Sequence, residues 1–292
     1  MPVPPHRPLE LRGRAFRGSD AVAAGTLSRG QLRGPAWQRL FRDVYACADL
    51  PVTHALRARA AAQLLVPGAV VSGASAAVLW GLPLAGPPDD VELTVAAGAN
   101  VCREPGVRVR RRDLAPDQVA RRGGVPVTSA ELTVVDLAGT GPLDDAVVLV
   151  DRFVDLGVTR LAWVREAAAG ARGRGCRQAR VAAGLADGLA GSPQETRLRL
   201  LRHRSGLPRP VAQHVVRDAA GFVGRVDFGW PELRVAVEYE GRWHGESPQR
   251  VAADRRRLNR LRAAGWTVVF ATAEDLADPA RLLRWLAEAL GC

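Results

Sequence analysis

The chain has 292 residues and a mass of 31.2 kDa, with 47% hydrophobic and 24% charged residues. That is enough apolar material for two or three packed domains and excludes a disordered chain. The 41 basic residues outweigh 30 acidic ones for a formal charge of +11, which favours a polyanionic partner, with nucleic acid the first candidate. Every basic residue is arginine, because the sequence contains no lysine. A GC-rich genome would also produce that usage, so the charge supports the partner without deciding it. Cys47, Cys102, Cys176 and Cys292 are scattered, with no CxxC pair, which argues against a zinc site or a disulfide framework. The opening MPVPPHRPLELRGRAF lacks the apolar run of a signal peptide, and no apolar stretch reaches membrane-spanning length. A cytoplasmic protein without membrane association is expected.

In chain order, residues 1–15 read as a flexible Pro- and Arg-rich lead. Between Ser19 and Ala48 the pattern predicts two short helices and a hairpin. Ser19 caps the first, Gly25 stops it, Ser28 caps the second, and WQRLFRDVYAC alternates as a hairpin or wing does. Helices are predicted over His54–Leu65 and Val70–Leu82, strands over Val91–Ala96 and Val107–Arg112, and a further helix from Leu132. The Gly- and Ala-rich stretch from Ala167 to Ser192 reads as a helical connector at a domain boundary. Beyond it, Ser192-Pro193 opens a helix to about His203. Strands follow at Val211–Val216, Phe222–Phe228 and Leu233–Glu240, then a long helix from Pro248 to Gly265, the strand WTVVFAT and a final helix after Asp278-Pro279. The result is a mixed α/β fold.

The chemistry-bearing residues gather in the last hundred. In LRVAVEYEG the period of two places Leu233, Val235, Val237 and Tyr239 on one face and Glu238 and Glu240 on the other. With a turn at Trp230–Leu233, Phe228 pairs with Val235, and Asp227 faces Ala236 diagonally beside Glu238. Converging carboxylates repel unless a cation neutralises them, and hard oxygen donors suit Mg2+ or Mn2+. The alternative is a solvated turn and strand with these carboxylates paired to Arg225 and Arg234. Glu195 either closes a capping box with Ser192 or turns toward the sheet as a further ligand. His244, in GRWHG, is a general acid, a phosphate contact or a packed ring, and Gln213 is a weaker candidate. Arg255, Arg256, Arg257, Arg260 and Arg262 stud the long helix as a solvated face or as phosphate contacts.

SPQETRLRLL, RVDFGWPELRVAVEYEGRWH and DRRRLNRLRAAGWTVVF together resemble the very-short-patch-repair-like endonuclease domains of the PD-(D/E)XK nuclease superfamily. The resemblance covers residues 192–292 and implies a restriction-endonuclease-like α/β domain. It implies Asp227 and Glu238 as metal ligands, Glu195 as the helix-borne acidic residue, and His244 and Asp254 as accessory positions; the expected catalytic set is Asp227, Glu238, Glu240, Glu195 and His244, with Glu195 as a third metal ligand. The superfamily's second-strand lysine would fall at Glu240, so a lysine role passes to Glu240 or His244 or the site is weakened. FRGSDAVAAGTLSRGQLRGPAWQRLFRDVYA, VVSGASAAVLWGL and GVPVTSAELTVVDLA resemble the AbiEi-type antitoxin family. That likeness implies a winged helix-turn-helix over residues 16–50, an α/β module over 51–166 and a connector over 167–191. Ser28, Arg29, Gln31 and Arg33 would then enter the major groove, with Arg39 and Arg42 on the wing contacting phosphate.

The expected function is that of a DNA-binding protein with a Mg2+-dependent endonuclease domain, hydrolysing phosphodiesters through a metal-activated water. The competing expectation is a non-catalytic AbiEi-like antitoxin or repressor with a degenerate nuclease-like domain and a toxin as partner. A nuclease acting on RNA is a third.

Overall fold

A computed structural model describes residues 7–240 and 248–292. The chain divides into two compact units, residues 1–137 and 138–292, and together they make a mixed α/β protein. Among the described residues no helix is long and apolar enough to cross a membrane.

The first unit begins with β1 (Ala15–Arg17), α1 (Gly18–Ala23), α2 (Arg29–Leu32), β2 (Trp37–Phe41) and β3 (Val44–Cys47), the strands forming an antiparallel sheet in the order β1-β3-β2. Phe16, Leu27, Leu32 and Trp37 fill a small core, with Phe16 edge-on to Trp37 at 5.1 Å. The unit continues through α3 (His54–Ala60), β4 (Val70–Val71), α4 (Gly73–Trp80), β5 (Val91–Val95), β6 (Val107–Arg111), β7 (Val119–Arg122), β8 (Val125–Thr128) and α5 (Ala130–Ala138). Five strands pair in the order β6-β5-β4-β8-β7. The helix expected over Val70–Leu82 is split: Val70 and Val71 pair with β5, and the helix starts only at Gly73. The β7–β8 hairpin, left unassigned by the sequence reading, turns on Gly123 and Gly124, both at positive φ, the Gly-Gly signal of a tight hairpin. In this unit His54 and Ser75 are buried and hydrogen-bonded at 2.7 Å. His54 Nδ1 donates to Gly86 O, and Ser75 Oγ accepts from the Glu92 N–H. Every polar atom of that pair is spent on holding segments together.

The second unit opens with α6 (Leu143–Asp155), α7 (Leu161–Gly170), α8 (Cys176–Leu185) and α9 (Pro193–Ser205). Much of the stretch expected as a connector is α8, whose Ala179, Ala182 and Ala183 are buried; small side chains let helices approach closely there. Asp151 on α6 is fully buried and accepts hydrogen bonds from the N–H groups of Asp187 and Gly188, from Thr196 Oγ1 at 2.8 Å and from Arg199 at 2.6 Å. A buried carboxylate persists only when its charge and lone pairs are so satisfied, and this one pins the first turns of α9.

Next come β9 (Val211–Asp218), β10 (Gly221–Trp230), β11 (Val235–Tyr239), α10 (Pro248–Ala263), β12 (Thr267–Ala271), α11 (Ala273–Ala277) and α12 (Ala280–Leu290), with sheet order β12-β11-β10-β9. β11 and β12 are parallel and the other pairs antiparallel. One face packs Phe228, Trp230, Val235 and Val237 with Leu198, Leu282 and Leu286; the other packs Val226 and Ala236 with Leu261 and Trp266.

Candidate functional site

The β10–β11 register differs from the expected one by two residues: Phe228 pairs with Val237, and Trp230 with Val235. Trp230 is buried and its indole N–H donates to Pro208 O at 3.0 Å, so it stays in the strand. Leu233, expected on the apolar face, is expelled into the turn, where it is 51% exposed. The turn closes through Arg234 at φ +51°. A two-residue slip preserves faces but changes partners. Asp227 therefore lies across from Glu238 instead of Ala236.

At Asp227 the two strands part. The Tyr239 N–H, which would continue the ladder, donates to Asp227 Oδ2 at 2.8 Å. On the other flank Asp227 stands opposite Gln213, between the pairs Val226–His214 and Phe228–Ala212. Gln213 has φ +52°, a left-handed conformation that costs a non-glycine residue about 1 kcal/mol. Its effect is to swap faces. Ala212 joins the core with Phe228, whereas His214 lies tilted against Trp266, ring centroids 5.3 Å apart, on the other side.

The kink brings Gln213 to the start of α9, where its Nε2 donates to Glu195 Oε2 at 2.8 Å. Glu195 Oε2 also accepts from the Gly191 N–H, while its own N–H donates to the Ser192 hydroxyl. The Ser192 hydroxyl caps α9, but the Glu195 carboxylate does not close the expected capping box; it turns instead to Gly191 and, toward the sheet, to Gln213. Asp227 feels the result. Burial pushes its carboxyl up to about 6, the nearby Glu195 and Glu238 carboxylates add to the rise, and the Tyr239 N–H and Arg225 oppose it.

Glu238 has a different partner. Arg257 of α10 places two guanidinium nitrogens on its two oxygens at 2.7 and 2.8 Å, and also reaches Asp254 Oδ1 at 2.9 Å. Both Glu238 oxygens are thus engaged, against the expectation of a free metal ligand. Among the described residues no three His, Cys, Asp or Glu side chains are grouped closely enough to hold an ion by themselves. Glu240 is exposed at the strand end, its N–H donating to Ala271 O, and His244 lies outside the described residues. Arg255, Arg256 and Arg262 are exposed on α10, whereas Arg260 binds Asp218.

In the first unit α2 is a single turn capped by Ser28, the second of the two short helices expected there. Ser28 and Gln31 form its capping box, so the Gln31 carbonyl oxygen is used by the Ser28 N–H. Arg29 and Arg33 at its ends, and Arg39 and Arg42 on the β2–β3 hairpin, are exposed. Sequence reasoning missed Asp151, which has no motif around it. It also did not separate Arg257 from its neighbours, although Arg257 sits one turn before the buried Leu261 on the same helix stripe.

The chain is a mixed α/β protein with an acidic cluster where two strands of the sheet in its second unit diverge. It belongs to the family of the Mycobacterium tuberculosis proteins titled "Uncharacterized protein Rv2248" (strain ATCC 25618 / H37Rv) and "Uncharacterized protein MT2308" (strain CDC 1551 / Oshkosh). Each is 30% identical to it over 270 residues, spanning 89% of this chain and 94% of the relative. No family model matches the chain. The crystal structure of the Mycobacterium tuberculosis protein Rv2827c aligns with 70% of this chain and 84% of its own, at 15% identity and a TM-score of 0.41.

Proposed function

We propose that the second unit is a metal-dependent nuclease domain and that the first unit binds DNA. The observation that carries the reading is the state of Asp227. Its carboxyl is pushed up to about 6 by burial and by two carboxylate neighbours, at a break in a sheet. Charge is concentrated there at a cost to folding, as happens at sites built to receive a cation.

Asp227 and Glu195 fit a hard divalent cation such as Mg2+ or Mn2+, which keeps several waters and needs one or two protein carboxylates. Glu238 fits only if Arg257 releases it. When bound, the cation supplies Lewis-acid polarisation of a phosphodiester oxygen and a lowered water pKa. The chain's own residues do the rest: Gln213 and the Ser192 cap orient Glu195, Tyr239 N–H orients Asp227, and Asp151 holds α9 against α6. Arg255 and Arg256, exposed on α10, would supply contacts to backbone phosphates. In the first unit, two short helices followed by a hairpin carrying Arg39 and Arg42, with Arg29 and Arg33 at α2, support a duplex-binding module.

The test is plasmid and single-strand cleavage by the purified chain with Mg2+, Mn2+ or EDTA, beside Asp227→Ala and Glu195→Ala. Metal-dependent nicking lost in both variants is expected. Folded wild type that neither cleaves nor binds Mn2+ by calorimetry overturns the reading. A non-catalytic repressor resembling the AbiEi-type antitoxins is favoured by one observation, the engagement of both Glu238 oxygens by Arg257. It predicts operator binding by the first unit with no cleavage.

A further inference from the structure

The β9–β10 hairpin extends past the elements that cover the rest of its sheet. Its inner face is buried: Val216, Val223 and Val226 pack under Leu258 and Leu261 of α10. Its outer face is bare. Arg217 pairs across the strands with Phe222, and Val215 with Arg225, and all four side chains are exposed, Phe222 at 56% and Val215 at 41%. A bulge between Phe222 and Gly224 brings Phe222 and Arg225 to the same side.

Phe222 differs from the exposed tryptophans of this chain. Trp163 and Trp285 each lie under an arginine, Arg160 and Arg281, at 5.0 Å. Among the described residues Phe222 has no ring or cation partner, and neither Arg217 nor Arg225 makes an ion pair. The backbone beneath is nonetheless fixed: Arg260 grips both oxygens of Asp218 at 3.0 and 2.8 Å and donates to Phe222 O at 3.1 Å. The face leads into the acidic cluster, because Arg225 is close enough to Asp227 to oppose the rise in its pKa. Along the strand, Phe222 stands roughly 15 Å from Asp227.

We propose that this face is a single-stranded nucleic-acid platform, with Phe222 stacking on an unpaired base while Arg217 and Arg225 hold the flanking phosphates. The charge is complementary to a strand, and an exposed ring on a fixed backbone, between two arginines without ion pairs, matches the pairing of stacking and phosphate contact that binds strands without sequence preference. A duplex buries its base faces and offers the ring nothing to stack on. The inference rests on the nuclease reading of the neighbouring cluster and specifies its substrate as a strand unpaired beside the scissile bond.

The experiment is fluorescence anisotropy in EDTA with the full chain and a labelled single-stranded DNA oligonucleotide, titrated over a range of salt. Phe222→Ala is expected to weaken binding about ten-fold, Phe222→Trp to retain it and Phe222→Leu to behave like alanine. Arg217→Ala and Arg225→Ala are each expected to reduce the slope of log affinity against log salt by about 0.7. Because these side chains are exposed, all variants are expected to melt with wild type by circular dichroism. Wild-type affinity in Phe222→Ala overturns the proposal. So does wild-type self-association that Phe222→Ala abolishes while oligonucleotide affinity stays unchanged, which would assign the face to protein contact. Binding is read without metal, so the two readings fail separately: stacking-dependent binding without cleavage removes only the nuclease, and cleavage indifferent to Phe222 removes only the platform.

Discussion

Arg257 and Glu238 meet end to end, two guanidinium nitrogens on two carboxylate oxygens at 2.7 and 2.8 Å, with the Glu238 side chain 12% exposed. Arg257 thus brings to Glu238, from α10, a positive charge that no residue of β11 carries.

Removing one partner leaves a largely buried charge without its counter-ion. Arg257→Gln is expected to lower stability by about 2 kcal/mol, discounted from the fully buried case because Arg257 is partly exposed. Adding Glu238→Gln is expected to recover part of that loss. Urea unfolding of the two single variants and the double variant measures it, and additive losses would show the pair to be uncoupled.

The pH dependence of Asp227 has a definite sign. Its folded-state pKa, about 6, lies above the ordinary carboxylate value of 3.8, so between those values the folded chain holds the proton more tightly than the unfolded chain. Stability is therefore lost as pH rises from about 4 to about 6, by up to about 3 kcal/mol. Asp227→Asn keeps an acceptor for the Tyr239 N–H and carries no charge. It is expected to be more stable than wild type at pH 7 and equal to it at pH 4, as thermal melts across pH would record. Mn2+ should raise the melting temperature of wild type alone.

Gln213 separates stability from function. Gln213→Gly relieves the left-handed backbone but loses the hydrogen bond to Glu195, two terms of about 1 kcal/mol each that offset. Near-wild-type unfolding with reduced cleavage is expected. Gln213→Ala keeps the strain and loses the bond, and should unfold about 1 kcal/mol sooner.

Asp151 is the deepest of the supports. Asp151→Asn cannot accept every donor now directed at it and leaves Arg199 with only the more exposed Asp187 as counter-charge, at an expected cost of about 2 kcal/mol. Denaturation checks the cost. Hydrogen exchange should place the loosening in α9, around Glu195.

The mixed α/β class and most elements of the second unit are legible in the sequence, because their signals are local. Ser192-Pro193 marks the start of α9, alternation marks β11, and Gly265 follows the end of α10. What depends on competition between distant groups is not. The β10–β11 register turns on whether Trp230 or Leu233 is buried, which alternation permits either way. The Gln213 kink has no local cue, since glutamine is not a residue that favours a left-handed backbone. The choice of Arg257 among five helix arginines becomes readable only when Leu261 is known to face the core. In the first unit β4 was absorbed into a predicted helix because two valines beside an alanine-rich run carry no period of their own.

β9 is the outermost strand of its sheet, and an open edge ordinarily invites another chain to add itself strand by strand. Gln213 is the third residue of this eight-residue strand and has a left-handed backbone, so a neighbour following the stretch on one side of it would lose alignment on the other. The bend that turns Gln213 toward Glu195 thus also guards the sheet against edge-to-edge aggregation.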